Sequence, residues 1–334
     1  MSGIKLNHVY SPNKSLLGRS ELQFLANLGG PSVIHIKGKD TSKCRVIVTL
    51  LHGNEPSGLK AIYQLLSQNF QPEVNTKVII ASVVASLTEP VFTHRMLPGK
   101  TDLNRCFSNS RKDLQSQLAS AINKEIHSFS PEAVVDIHNT SGSGPAFSVS
   151  INNSQKHLAL AAHFTHRMVY TDIRLGSIME QNYGCPVVTI EAGGAYDNEA
   201  DLNAINGIRS FLTAKLVFEQ TQEIELLHNP RRLELHPDCI IRYDSEFDSQ
   251  SNVTFHQDIE KYNFKQVAAN TALAWVDEKG LSHFTLDNNK QPVNHYFKVK
   301  GNVLYTAMPL TLFMITTRAI IAKSDCLLYF SEVQ

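Results

Sequence analysis

"RVIVTLLHGNEPSGLKAIYQLL", residues 45–66, passes from an apolar run to a helix-like pattern within a few residues. The first part reads as a strand buried on both faces, and the last part as a helix with Pro56 suited to a first helical position. "KVIIASVV" (77–84) reads as the next strand. Strand, helix and strand at this spacing make a βαβ unit, which implies parallel pairing under a cover of helices. His52 and Glu55 stand where the strand gives way to the helix. In open α/β proteins that end of the strands faces the crevice where ligands bind.

Working outward, "PSVIHIKG" (31–38) is a strand, with "KDTS" a turn before the central one. Residues 87–109 form a long loop carrying "TEPVFTHRMLPGKTDLNRCFSN", a length that is uncommon unless functional. Ser110 is suited to cap a helix over 111–128, with Leu114, Leu118, Ile122 and Ile126 as its buried stripe. "AVVDIH" (133–138), "AFSVSIN" (146–152) and "CPVVTIEAGG" (185–194) are further strands; the first ends on His138 and the last carries Glu191. A helix over 198–219 opens on acidic residues, where the helix dipole favours them, and buries Leu202, Ile205, Ile208, Leu212 and Leu216. Near "HNPRR" (228–232) helical periodicity gives way to short β-rich runs such as "CIIRYD" and "ALAWVD". The expected organisation is an α/β domain over 1–225 and a smaller β-rich domain over 226–334.

The 334 residues are 42% hydrophobic and 19% charged, enough for a sizeable core. Lysines and arginines (31) balance aspartates and glutamates (31), so there is no electrostatic footprint for nucleic acid and no general attraction to an anionic membrane. Five well-separated cysteines without CxxC spacing argue against a disulfide framework and for reduced thiols in a cytoplasmic protein. The N-terminus has no apolar core of a signal peptide, and no stretch approaches a membrane span.

Three strands thus end on groups fit for metal binding or proton transfer: His52 with Glu55, His138, and Glu191. Hydrolytic zinc commonly takes two histidines and a glutamate and keeps a position for water. A further carboxylate can move that water's proton. Alternation puts Asp136 on the face of His138, suited to orient its ring. Arg95 and Arg105 are candidate carboxylate clamps, and Asn104 adds an amide. Each signal alone has an ordinary structural explanation; their shared place at strand ends gives them weight.

"HGNE", "DLNR", "DIHNTSG" and "TIEAGG", in this order over roughly residues 44–215, resemble the motif set of the succinylglutamate desuccinylase/aspartoacylase family, in the zinc carboxypeptidase superfamily. The resemblance implies a zinc-carboxypeptidase-like α/β fold with a mixed, largely parallel sheet. It implies His52, Glu55 and His138 as ligands of one zinc per chain, Glu191 as general base, and Asn104, Arg105 and Arg95 as holders of a substrate carboxylate. Two departures bear on substrate. Glu89-Pro90 stands where the family has Asn-Pro after its second strand, and Arg95 lies about two residues further from Asn104 than expected.

Other motifs fall away. "PGKTD" (98–102) has the Gly-Lys-Thr of a phosphate loop, but His94 occupies the place of its leading glycine. There is no GxSxG elbow for a serine hydrolase. His157, His163 and His166 read as surface histidines. Three functions stay open at this point: a zinc amidohydrolase cleaving a small N-acyl amino acid, a zinc carboxypeptidase acting on peptides, and a metal- or ligand-binding protein without turnover. Glu191 disfavours the last, since a binding module has no need of a base beside an open metal site. The oligomeric state is not legible.

Overall fold

The computed structural model describes residues 4–108, 113–219, 222–286, 291–324 and 327–333. In chain order the first part holds β1 (Asn7–Tyr10), α1 (Lys14–Leu17), α2 (Glu21–Leu28), β2 (Ser32–Ile36), β3 (Asp40–Thr49), α3 (Ser57–Ser67), β4 (Val74–Ile80) and α4 (Val83–Leu87). It continues with α5 (Leu114–Phe129), β5 (Ala133–Thr140), β6 (Phe147–Ser150), α6 (Gln155–Ala161), β7 (Arg167–Tyr170), β8 (Val187–Gly194), α7 (Asn198–Thr213) and β9 (Glu225–His228). These strands form one sheet in the order β1-β2-β4-β3-β5-β8-β6-β7-β9. β3 runs parallel to both β4 and β5, β1 to β2 and β6 to β7, while the β2–β4 and β6–β8 pairs are antiparallel. The sheet is therefore mixed and largely parallel.

Alternation along the central strands feeds two cores. Ile47, Val135 and Ile137 join the core under α2, α3 and α7, whereas Val46, Val48 and Val134 pack on the other face with Leu118, Ile122 and Ile126 of α5. The strand expected over 133–138 runs on to Thr140, so His138 lies within β5, buried like Asp136 two residues before it.

Several boundaries differ from the sequence reading. "KDTS" is no separate turn: β3 begins at Asp40, its pairing with β4 irregular up to Cys44, with the Asp40 carboxylate accepting from Ser42. The strand expected over 77–84 ends at Ile80, because Ser82 donates from its backbone to Leu50 and from its hydroxyl to Leu51, after which Val83 opens α4. Glu89-Pro90 consequently lies beyond a helix instead of at the strand end, and Glu89 is exposed. Ser110 lies outside the described residues; α5 starts at Leu114 with Asp113 accepting from Ser116 N. Leu114, as first residue of the helix, is exposed, as are Leu202 and Leu216; the buried face of α7 uses Ala204, Ile205, Ile208, Phe211 and Leu212, and the helix ends at Thr213. His163 is buried, bonded to Ser210 and to the Val217 carbonyl, and is a core histidine.

The chain divides into two compact units, one of Met1–Asn139 with Ala146–Leu226, the other of Thr140–Pro145 with Leu227–Gln334. The second contains two five-stranded sheets around Leu233, Phe255, Leu304, Leu312 and Phe330. Among the described residues no helix is long and apolar enough to cross a membrane.

Candidate active site

β3 ends in a sharp turn: Leu50 takes a left-handed backbone (φ 53°), which a non-glycine residue adopts only when its surroundings impose it. The following loop carries His52 and Glu55 over the sheet rim. Gly53 is needed there, since a Cβ would come within 2.7 Å of the His94 carbonyl and 2.8 Å of Ser86 N. Gly53 N also donates to the Arg95 carbonyl at 2.9 Å, which brings Arg95 to this loop.

His52, Glu55 and His138 converge, each buried, with one potential ligand atom apiece all within 4.8 Å of one another. Glu55 bridges the two rings: Oε1 lies 2.8 Å from His52 Nδ1 and Oε2 lies 2.6 Å from His138 Nδ1. The far nitrogens are held by other carboxylates. His138 Nε2 is 2.6 Å from Asp136 Oδ2, and His52 Nε2 is 3.0 Å from Asp102 Oδ1. Both nitrogens of each ring thus face a carboxylate; with Nε2 held from behind by Asp102 or Asp136, Nδ1, on the Glu55 side, is the nitrogen that would turn to a cation. This donor set fits zinc: two imidazole nitrogens and one carboxylate face a common point, and both rings are oriented from behind.

The electrostatics are correspondingly strong. Burial would raise the Glu55 carboxyl, but the facing His52 and His138 outweigh it and hold it well below the usual carboxylate range. Burial would lower the His138 ring, but Asp136 and Glu55 on either side raise it well above 6.5. Glu191, on β8, feels the charges of His138, Glu55, His52 and Arg95; burial is the largest influence and pushes it up to about 7. Such a carboxyl is balanced between accepting and releasing a proton near neutrality.

Arg95 is at the cluster's edge, with Nη2 2.9 Å and Nε 3.0 Å from Asp102 Oδ2 and Nη1 3.4 Å from Glu55 Oε1. Asn104 and Arg105 follow Asp102 on a single 3₁₀ turn, Leu103–Arg105. Asn104 is buried and its Oδ1 accepts from Ile178 N at 3.1 Å; Arg105 Nη1 donates to the Asn104 carbonyl. Asp102 is a site residue that sequence reasoning misses. Burial would raise its carboxyl, but His52, Arg95 and Arg105 together hold it low. Its only sequence signal is its place at the head of "DLNR". Asn139 likewise carries no sequence signal beyond its place directly after His138.

Residues 43–216 match the succinylglutamate desuccinylase/aspartoacylase catalytic domain. No curated protein sequence matches the chain. Among solved structures, a succinylglutamate desuccinylase/aspartoacylase from Rhodobacter sphaeroides is similar over 90% of this chain and 89% of its own, at 15% identity and a TM-score of 0.57. The product-bound ectoine utilization protein from Ruegeria pomeroyi is similar over 90% and 88%, at 16% identity and 0.56. A succinylglutamate desuccinylase from Vibrio parahaemolyticus is similar over 88% and 96%, at 15% identity and 0.52. Identities this low speak for a common fold.

Proposed function

Because the chain belongs to the succinylglutamate desuccinylase/aspartoacylase family of deacylases, we propose that it is a zinc-dependent amidohydrolase cleaving the amide bond of an N-acyl amino acid, such as an N-succinyl or N-acetyl amino acid. The observation that carries this reading is the convergence of His52, Glu55 and His138, each with a potential ligand atom within 4.8 Å of the others. We assign residues 1–225 as the catalytic domain, since every residue of this set falls within it.

His52, Glu55 and His138 would hold one zinc per chain. A zinc ion there would polarise the amide carbonyl and bring the pKa of a water toward ~7. Glu191 takes the proton of the attacking water and returns it to the departing amine nitrogen, which its raised pKa suits it to do. Arg95 faces the developing negative charge on the carbonyl oxygen. Arg105, with Asn104, holds the carboxylate of the amino acid. Asp102 and Asp136 hold the Nε2 side of the two imidazoles and so turn Nδ1 toward the ion. The products are a carboxylic acid and an amino acid.

The test is Glu191→Gln, with zinc content and turnover of N-succinyl and N-acetyl amino acids measured on one preparation. The expected result is zinc retained at the wild-type level and kcat reduced by ~10²–10⁴-fold, the usual worth of general base catalysis. A variant that keeps both zinc and rate overturns the mechanism. One that loses its zinc makes Glu191 a ligand instead.

A further inference from the structure

Three chain segments bring the reactive groups together: the loop before α3 carries His52 and Glu55, β5 carries His138, and β8 carries Glu191. A side chain of β5 next to His138 bonds both to the head of α3, where the first segment ends, and to β8. Asn139, on β5, accepts at Oδ1 from Ser57 N (3.1 Å) and donates from Nδ2 to Ser57 Oγ (2.9 Å) and to the Gly193 carbonyl of β8 (3.0 Å). Its backbone N–H also points at Glu55 Oε2, at 3.4 Å.

The partners fix which way the amide faces. Ser57 Oγ lies 2.6 Å from Asp201 Oδ1, and that carboxylate only accepts, so the hydroxyl proton goes to Asp201. The Ser57 oxygen is then left as an acceptor for Asn139 Nδ2. Ser57 N–H and the Gly193 carbonyl each allow one direction only, and both agree with this assignment. Both amide protons of Asn139 are thereby used. The residue is 4% exposed and Ser57 is fully buried, so Asn139 has no donor to offer a substrate.

We propose that Asn139 is a positioning residue of the deacylase: it clamps the Glu55 loop and the Glu191 strand onto β5, and so sets Glu191 relative to the His52–Glu55–His138 cluster. The proposal rests on the reading of this cluster as a zinc site. Asn139 moves no proton and touches no reacting atom. It acts through Ser57, two residues after Glu55, and through Gly193, two residues after Glu191.

Asn139→Asp tests this because it keeps the shape and the acceptor toward Ser57 N–H. It turns an oxygen toward the Gly193 carbonyl and Ser57 Oγ, so two attractive links become repulsive. Ser57→Ala is the graded comparison, losing the hydroxyl links and keeping the bonds of Asn139 to residue 57 N–H and to Gly193. Each protein is loaded with Co²⁺ and its visible absorption, cobalt retention against a chelator, kcat, KM and the acid limb of kcat are recorded.

In Asn139→Asp, kcat is expected to fall about 10–100-fold with KM little changed, the range typical of partners that orient metal ligands. The acid limb and the cobalt spectrum should shift, and Ser57→Ala should lie between this variant and wild type. An Asn139→Asp protein with wild-type spectrum, retention and kcat overturns the proposal, as does a Ser57→Ala protein impaired as much as Asn139→Asp. If Asn139→Asp does not fold, Asn139→Ala, which removes the links without repulsion, decides by the same readouts. A wild type that binds Co²⁺ yet hydrolyses no N-acyl amino acid overturns the deacylase reading, and the spectra then decide alone on Asn139. A wild type that takes up no Co²⁺ overturns both.

Discussion

His52 and His138 each have Nε2 engaged by a carboxylate, and this sets what zinc uptake at the cluster would require. His138 lies between Asp136 and Glu55, with a carboxylate 2.6 Å from each ring nitrogen, and these raise its pKa and favour the doubly protonated ring in the metal-free protein. Ligation needs the Nδ1 lone pair, so zinc uptake must expel that proton. Titration calorimetry at pH 7, in buffers of different protonation enthalpy, should register about one proton released per zinc, and His138→Ala should abolish the release and lose most of the zinc. Zinc binding without proton release would mean that His138 is already neutral. A second expectation concerns Arg105. Arg105→Lys keeps the charge but not the two-pronged donor, so KM for a carboxylate substrate should rise by more than charge conservation suggests. An unchanged KM would remove Arg105 from the substrate site. At this scale the sequence is informative where chemistry is rare: two histidines and two glutamates in or beside strands stand out in an apolar setting, although His138 and Glu191 lie within β5 and β8 and not at their ends. Asp102 and Asn139 do not stand out, because their roles lie in which nitrogen or carbonyl they meet, and partners distant in sequence supply that.

Strand interiors are legible because burial on both faces demands unbroken apolar runs; element ends are set by contacts that a linear pattern does not contain. β4 stops at Ile80 because Ser82 finds the Leu50 and Leu51 carbonyls, and α7 hides Ala204 and Phe211 in place of the exposed Leu202 because α3 lies against that face. The same packing accounts for Gly58 in the first turn of α3. A Cβ there would stand 2.3 Å from Thr49 Oγ1 and 3.0 Å from Ile137, so the helix approaches β3 and β5 as closely as backbone permits. Two effects compete in Gly58→Ala. Helix propensity would favour alanine by ~1 kcal/mol, while overpacking a close-packed site costs ~1–3 kcal/mol. Both neighbours are buried and β-branched, with little room to yield, so overpacking wins and the net change should be a destabilisation of up to about 2 kcal/mol. Chemical denaturation of the variant and wild type measures it; a stabilised variant would mean that α3 shifts freely away from the sheet, which would also displace Glu55.

Over the whole chain, 31 basic residues balance 31 acidic ones, and near neutrality the buried site adds a pH dependence of its own. His138 is raised above its unfolded value, so its contribution to stability is full below ~6.5 and is lost as pH rises through its folded pKa. Glu191 is raised to about 7 by burial, and its contribution likewise declines as pH rises through that value. Glu55 and Asp102, held low, contribute above ~4 and lose their contribution only as pH falls further. Between pH 6 and 8 the metal-free N-terminal unit should therefore lose stability as pH rises. Zinc has the opposite dependence, because its ligands must be deprotonated, and it stabilises the folded state by RT ln(1 + [Zn]/Kd). The melting-temperature gap between zinc-loaded and metal-free protein should thus widen steadily from pH 6 to pH 8, read by differential scanning calorimetry on the transition that zinc moves. A constant gap would mean that zinc uptake displaces no proton between pH 6 and 8, so that His138 is already neutral there, and the electrostatic account of the site would fail with it.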